Sequence, residues 1–163
     1  MSLAQLSPQR VQEERRIRGA LGERALRIEH IGSTAVPGLI AKPLIDILLV
    51  VADSADEPSY VPTLEAAGYV LRIREPDWDE HRLFNGPEID VNLHVYTKGS
   101  DEIERYLLLR GRLRENVADR DLYAQTKRDL AARQWTYVQN YADAKSEVVE
   151  AIIARARAAR LQG

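Results

Sequence analysis

The chain has 163 residues, of which 45% are hydrophobic and 29% are charged, and these values predict a globular protein with one domain over residues 1–163. Its 23 basic and 25 acidic side chains leave a net charge of −2, so no overall positive field favours nucleic acid as a partner. The chain has no cysteine, which excludes disulfides, thiolate zinc sites and a cysteine nucleophile. No apolar run approaches the roughly 20 residues that cross a bilayer, and the charged N-terminus lacks a secretory pattern. We therefore expect a cytoplasmic protein without a membrane partner.

A helix is the first predicted element. Ser7 and Pro8 match an N-cap followed by proline at the first helical position, and the helix is expected to end near Gly22. A short strand is predicted next, over residues 26–31, where apolar residues alternate. The small residues after this strand predict a turn.

The most apolar segment of the chain is a predicted strand over residues 44–51. Its sequence, LIDILLVV, is hydrophobic except for Asp46, which is typical of a strand that is covered on both faces near the centre of a sheet. Before this strand, Pro37 leaves room for about one helical turn. An ionised carboxylate in such a strand costs several kcal/mol unless it is paired or bound to a metal, so Asp46 needs a partner. Asp46 then has either a functional role or a structural one, as a cap for N–H groups of the preceding loop.

The rest of the first half predicts a helix, a strand and an antiparallel hairpin with an Asn-Gly turn, over residues 61–67, 69–73, 81–84 and 88–96. From residue 101 onward glycine and proline almost vanish, and the pattern predicts two or three helices. The sheet-rich part of the domain is therefore expected over about 23–97 and the helical part over about 101–160.

The turn after the first strand has residues that suit a phosphate. Gly32 permits close approach of the backbone, Ser33 offers a hydroxyl group, and Thr34 belongs to the same turn. Lys42, in the extended entry to the Asp46 strand, can aim an ammonium group at a phosphate. The same residues also fit an ordinary turn and a solvated loop lysine.

One face of the last predicted strand has groups suited to metal binding and proton transfer. Asp90, Asn92 and His94 alternate along it, so two or three of them can converge on a ligand or on a hard cation such as magnesium. His81, on the preceding strand, is a further candidate for proton transfer. The alternative is a solvated outer face, which is common for antiparallel strands.

The run from Ile28 to Val51, IEHIGSTAVPGLIAKPLIDILLVV, resembles the signature of the GrpB family, whose members have HIGSTAVPGL, then AKP, then an Ile-Asp-Ile strand. The resemblance extends to HRLFN at 81–85, to NLHVY at 92–96 and to a Tyr-x-x-x-Lys pattern that ends at Lys145, a further candidate for phosphate binding. It implies membership of the nucleotidyltransferase superfamily and a polymerase-beta-like α/β (α+β) fold. In such a fold a mixed or antiparallel sheet packs with helices and is followed by a helical C-terminal half.

In that superfamily a Gly-Ser turn holds the triphosphate of a nucleotide, and carboxylates on neighbouring strands hold magnesium. The resemblance therefore implies that Gly32 and Ser33 bind phosphate and that Asp46 and Asp90 bind Mg²⁺, with His94 as a further ligand. In this reading His94, together with His81 described above, assists proton transfer.

The chain departs from the superfamily pattern at two positions. Leu48 stands where a second carboxylate normally shares the face of Asp46, and Asn92 stands where relatives tend to have a histidine. A two-metal transferase needs at least three well-placed carboxylates. We expect Asp90 to lie opposite Asp46 and to supply one of them. Either His94 or another group completes a one-metal site, or the domain binds a nucleotide without efficient transfer.

Three functions are compatible with the sequence. The first is a metal-dependent nucleotidyltransferase that uses Mg²⁺ and a nucleoside triphosphate to modify a small-molecule acceptor. The second is a non-catalytic module that binds a nucleotide or a phosphorylated metabolite. A coenzyme A-related ligand fits this reading, because some members of the family are fused to an enzyme that phosphorylates dephospho-coenzyme A. The third is an interaction scaffold with a basic helical surface, although the acidic residues interleaved with its arginines favour a solvated, salt-bridged face. These arginines are Arg105, Arg110, Arg112, Arg114 and Arg120.

Overall fold

A computed structural model describes residues 3–37, 39, 44–87, 90–132 and 138–162. Within these ranges one mixed sheet contains five strands, β1 (Arg27–Ile31), β2 (Ile45–Val51), β3 (Val70–Glu75), β4 (His81–Asn85) and β5 (Val91–Thr97). The helices are α1 (Leu3–Leu21), α2 (Val61–Ala66), α3 (Asp101–Glu115), α4 (Val117–Ala132) and α5 (Val138–Gln162). This arrangement confirms the predicted α/β architecture, in which a sheet packs with helices and a helical half follows.

The strand that contains Asp46 is an inner strand of the sheet. The strand order is β1-β2-β5-β4-β3, with β2 antiparallel to β1 and parallel to β5, and with β4 antiparallel to both of its neighbours. Successive side chains of a strand point to opposite faces. Ile45, Ile47 and Leu49 therefore share one face, and Asp46 and Leu48 share the other. Apart from Asp46, the whole of β2 is buried, as predicted for a strand covered on both faces.

Helices α1 and α2 cover the face opposite Asp46. Ile17 of α1 and Leu64 of α2 pack in one cluster with Ile47 of β2 and Leu93 of β5, and each of these side chains is almost completely buried. Burial of one such aliphatic side chain contributes about 1.5–3 kcal/mol, so this layer holds α1 against the sheet.

The Asp46 face supports the helical half of the chain. Leu48 and Val50 pack with Ile103 of α3, while Val36, in the loop after β1, packs with Ile152 of α5. Helix α3 therefore lies against β1 and β2, and α4 and α5 pack with α3 and with the loop after β1. This packing brings helical residues close to Asp46.

Two predicted boundaries differ from the structure. Helix α1 begins at Leu3 instead of Pro8, so Pro8 lies inside the helix, where it removes one i→i−4 hydrogen bond. Strand β5 begins at Val91, so its polar face begins at Asn92 and not at Asp90 as predicted. The predicted helical turn after β1 is a 3-10 turn at Ser33–Ala35. In the described ranges no helix combines the length and the apolar character that a bilayer crossing needs.

Candidate functional site

A cavity of about 580 Å³ lies between the Asp46 face of the sheet and the C-terminal helices. Asp46, Asn92 and His94 form its sheet side, and Gly32 lies at its edge. The helix side includes Arg105, Tyr106, Arg110, Lys127, Val149 and Glu150. The lining combines apolar and charged side chains, and the volume is in the range of small-molecule sites.

Asp46 interacts with the side chain of His94. Its Oδ1 lies 3.2 Å from Nε2 of His94, and 23% of its side chain is exposed. Among the described residues no main-chain amide donates to the Asp46 carboxylate, and most of the preceding loop, residues 38 and 40–43, lies outside the described ranges, so its role as a loop cap stays an alternative. The prediction that Asp46 needs a partner is confirmed.

Gly32 brings the loop backbone against this carboxylate. Its φ is +78°, in the left-handed region that favours glycine, and a Cβ at this position would lie 2.5 Å from Oδ2 of Asp46. A side chain at position 32 would therefore collide with the carboxylate. The glycine thus permits the loop backbone to lie close to the Asp46 side chain.

A chain of hydrogen bonds runs from Asp46 to the surface. Nδ1 of His94 lies 3.1 Å from Nε2 of His81, and Nδ1 of His81 lies 2.6 Å from Oε1 of Glu75, whose side chain is 47% exposed. The chain contains three donor–acceptor contacts. Two neutral imidazoles supply two N–H protons, so one of the three contacts has no proton. The chain can therefore take up one further proton without breaking any of its bonds.

Aromatic packing holds the two imidazoles in place. The ring of His81 stacks on Tyr96, with centroids 4.8 Å apart, and on His94, with centroids 5.3 Å apart, while Tyr106 of α3 lies against His94. Burial lowers the pKa of His81, and its hydrogen bond with Glu75 opposes that effect. His81 is therefore neutral at neutral pH and available to accept a proton.

The two arginines on the helix side of the cavity have acidic partners. Arg105 pairs with Glu150 and with Glu102, and the hydrogen bond with Glu150 is the main cause of its raised pKa. Nη1 of Arg110 lies 2.8 Å from Glu29. Because their charges are compensated, these two arginines add little net positive charge to the cavity.

The register of the sheet corrects one prediction. Asn92 of β5 lies opposite Asp46, so the expectation that Asp90 lies opposite Asp46 is wrong. Asp90 precedes β5, its side chain is exposed, and it does not line the cavity. The parallel pairing of β2 with β5 sets this register, and the alternation within a single strand does not reveal it.

Other predicted phosphate ligands lie elsewhere or outside the described residues. The Thr34 hydroxyl donates to the Leu44 carbonyl at 2.9 Å and interacts with His30, and it faces away from the Asp46 cavity. Lys42 and the side chains of Ser33 and Lys145 lie outside the described residues.

Several residues of the site were missed by the sequence reasoning. Glu75 was not considered, although β3 pairs it directly with His81. Tyr106 and Glu150 enter the cavity from helices that are far away in the sequence. The pairing of β3 with β4 is the feature that could have indicated Glu75. No local sequence pattern indicated that Tyr106 and Glu150 belong to the site.

Comparison with known proteins identifies the family. The family model described as GrpB protein matches residues 5–155. A UPF0157 protein of Halalkalibacterium halodurans is 62% identical over 146 residues, which are 90% of this chain and 75% of that protein. The crystal structure of the conserved protein GrpB from Enterococcus faecalis superposes with a TM-score of 0.74 and 29% identity, covering 91% of this chain and 92% of that one.

A more distant likeness is found to the Cid1 poly(U) polymerase in a crystal structure with MgATP. The TM-score is 0.45 and the identity 14%, over 75% of this chain and 44% of that one, which is too remote to support an argument about activity. The family match and the close relative agree with the signature between residues 28 and 51. The chain belongs to the GrpB protein family.

Proposed function

We propose that this protein is a magnesium-dependent nucleotidyltransferase that acts on a small acceptor bound in the Asp46 cavity. The observation that supports this proposal is the contact between Gly32 and the Asp46 carboxylate at the edge of a cavity of about 580 Å³. A loop backbone that can receive phosphoryl oxygens thereby adjoins a carboxylate that can receive a cation.

The residues present fit one magnesium ion better than two. Among the described residues no group of three or more His, Asp or Glu side chains is arranged to hold a metal ion. Asp46 offers Oδ2, because only Oδ1 contacts His94. Magnesium often takes one or two protein carboxylates and completes its shell with phosphate and water, and when bound it would polarise the phosphoryl group. Asp90 as a second ligand stays a prediction.

The hydrogen-bonded chain from Asp46 to Glu75 supports a role in proton transfer. An acceptor hydroxyl beside Asp46 has to lose its proton when it attacks a phosphoryl group. His94 is within reach of Asp46, and His81 links His94 to an exposed carboxylate. The proton therefore has a defined route away from the reacting oxygen.

The test is pyrophosphate release from each nucleoside triphosphate with magnesium and a pool of small metabolites. Asp46→Asn keeps the shape of the side chain and removes its charge, so we expect it to abolish release. Asp121→Asn, on the exposed face of α4, is the matched control and should have no effect. Asp90→Asn tests whether the exposed aspartate contributes. A release that persists in Asp46→Asn would refute the proposal.

A second candidate is a module that binds a nucleotide or a phosphorylated metabolite without transfer. It is favoured by Leu48, which is fully buried at the position of the second carboxylate, and by Asn92 opposite Asp46. A thermal-shift screen with nucleotides and coenzyme A precursors distinguishes the two candidates. Stabilisation that does not depend on magnesium, without pyrophosphate release, supports the binding module, and no stabilisation by any of these compounds contradicts it.

A further inference from the structure

A second cavity, of about 660 Å³, lies at the open edge of β1 and has a different character. Four arginines from three helices line it, Arg10 of α1, Arg110 and Arg114 of α3, and Arg120 of α4. His30 and Thr34 also line this cavity. We call this cavity the arginine pocket.

Positive charge is in excess in the arginine pocket. Arg110 pairs with Glu29 at 2.8 Å, and Arg10 makes a long contact of 3.5 Å with Glu14. Within the described ranges Arg114 and Arg120 have no carboxylate partner, which departs from the salt-bridged face expected from the sequence. Four guanidinium groups thus face two carboxylates, an excess of two positive charges.

Main-chain carbonyls hold three of these guanidinium groups in place. Arg110 donates to the carbonyl of His30 at 2.9 Å, and Arg114 donates to that of Ala35 at 2.9 Å. Arg120 donates to the carbonyls of Leu113 and Arg114 at 2.8 and 3.0 Å. For Arg114 and Arg120 these neutral acceptors orient the group and leave its positive charge uncompensated. Such groups are ordered in advance for an anion, which lowers the entropic cost of binding.

The electrostatic consequences appear in neighbouring groups. Burial lowers the pKa of Arg114, and the nearby charges of Arg110 and Arg10 lower it further. Burial together with the charges of Arg10 and Arg114 lowers the pKa of His30 to about 4. The fold thus holds like charges together against their repulsion, and an anion in the pocket would relieve that repulsion.

We propose that the arginine pocket binds a phosphate-bearing small molecule with a charge of −2 or more, at a site separate from the Asp46 cavity. The planar fork of arginine matches the oxygens of phosphate, and the excess of two positive charges matches a phosphomonoester or a diphosphate. Neither this proposal nor the transferase proposal depends on the other, although Arg110 lines both cavities.

The three histidines of the chain make the test specific for the site. His30 lines the arginine pocket, whereas His94 lines the Asp46 cavity. Titration of the whole protein with inorganic phosphate and then with pyrophosphate, at constant ionic strength, is followed by NMR of the imidazole Cε1–H signals. We expect the His30 signal to shift and saturate while the His94 signal stays in place. A shift confined to His94 would place the anion in the Asp46 cavity and overturn this proposal.

Variants identify the groups that bind the anion. Arg10→Gln and Arg114→Gln each remove one charge from the pocket, and the contact of Arg10 within the described residues is a long one to the Glu14 side chain. Arg128→Gln, on the exposed face of α4, removes the same charge outside the pocket. We expect pyrophosphate to bind about tenfold more weakly, or worse, to the two pocket variants, because a hydrogen bond to a charged group is worth at least the free energy of a tenfold change.

Three outcomes contradict the proposal. The first is the absence of any His30 shift at millimolar pyrophosphate, and the second is equal weakening in Arg128→Gln, which would indicate a nonspecific charge effect. The third is tighter binding of single-stranded RNA than of pyrophosphate, lost in the same pocket variants, which would replace the small ligand with a polynucleotide. Asp46→Asn should leave pyrophosphate binding at His30 unchanged, so failure of the transferase proposal is recognised separately.

Discussion

An alanine at position 32 would place its Cβ 2.5 Å from Oδ2 of Asp46. The conflict is with the side chain on which the proposed function depends. Gly32 also has a φ of +78°, so an alanine would bring backbone strain as well as a collision. A control that has the strain alone can separate the two effects.

Gly99 offers this control. Its φ is +84°, and a Cβ there would meet nothing within 4 Å. We expect Gly99→Ala to lower the free energy of unfolding by about 1–2 kcal/mol, the ordinary cost of a left-handed conformation. Gly32→Ala should cost more and should also weaken ligand binding in the Asp46 cavity. Urea unfolding and thermal-shift titration measure both effects, and equal behaviour of the two variants would show that the Asp46 contact is unimportant.

Leu48→Asp should fail to restore a second metal ligand. Leu48 is fully buried between β1 and β5 and packs with Ile31, Tyr96 and Ile103, so a carboxylate there is withdrawn from water. We expect Leu48→Ala to lower the free energy of unfolding by about 2–5 kcal/mol, and Leu48→Asp to lower it further, because a charge is buried as well. Urea unfolding at neutral pH provides the comparison. A folded Leu48→Asp variant with stronger magnesium-dependent pyrophosphate release would contradict this expectation.

Glu75→Gln should lower the pKa of His81. Burial lowers this pKa and the hydrogen bond with Glu75 raises it, so removal of the negative charge leaves burial less opposed. NMR titration of the His81 imidazole measures the change. Glu80→Gln is the control. The Glu80 carboxylate accepts a hydrogen bond from Arg82, so its removal should leave the His81 pKa nearly unchanged. A His81 pKa that is equal in wild type and Glu75→Gln would break the proposed route for the proton.

His30 should make the protein less stable in mild acid. Its pKa falls from 6.5 to about 4 on folding, mainly because of burial and the charges of Arg10 and Arg114. Between these pH values the unfolded chain binds a proton at His30 that the folded chain does not bind. The free energy of unfolding is therefore highest above pH 6.5, and it decreases as the pH falls from 6.5 toward about 4.

The check is His30→Gln, which retains a hydrogen-bonding group beside Thr34 and cannot titrate. The urea midpoint of the wild type should fall more steeply than that of His30→Gln as the pH is lowered through this window. Identical slopes would show that His30 titrates alike in the folded and unfolded chains.

Much of this protein follows from local sequence patterns. The apolar run of β2 predicted a strand covered on both faces, and the alternation of Asn92 and His94 predicted their common face. The isolated charge of Asp46 predicted a partner. These predictions succeed because burial and strand alternation act over a few neighbouring residues, so the information lies in the segment itself.

The arrangement of the site depended on the tertiary structure. Parallel pairing between distant strands placed Asn92, and not Asp90, opposite Asp46. Packing of three helices brought Arg10 beside Arg114 and Arg120, so that arginines interleaved with acids in the sequence share a pocket with few acids. Strand register and helix packing depend on contacts between residues far apart in the chain. Local periodicity determined which elements form, and the shared core determined which of their side chains meet.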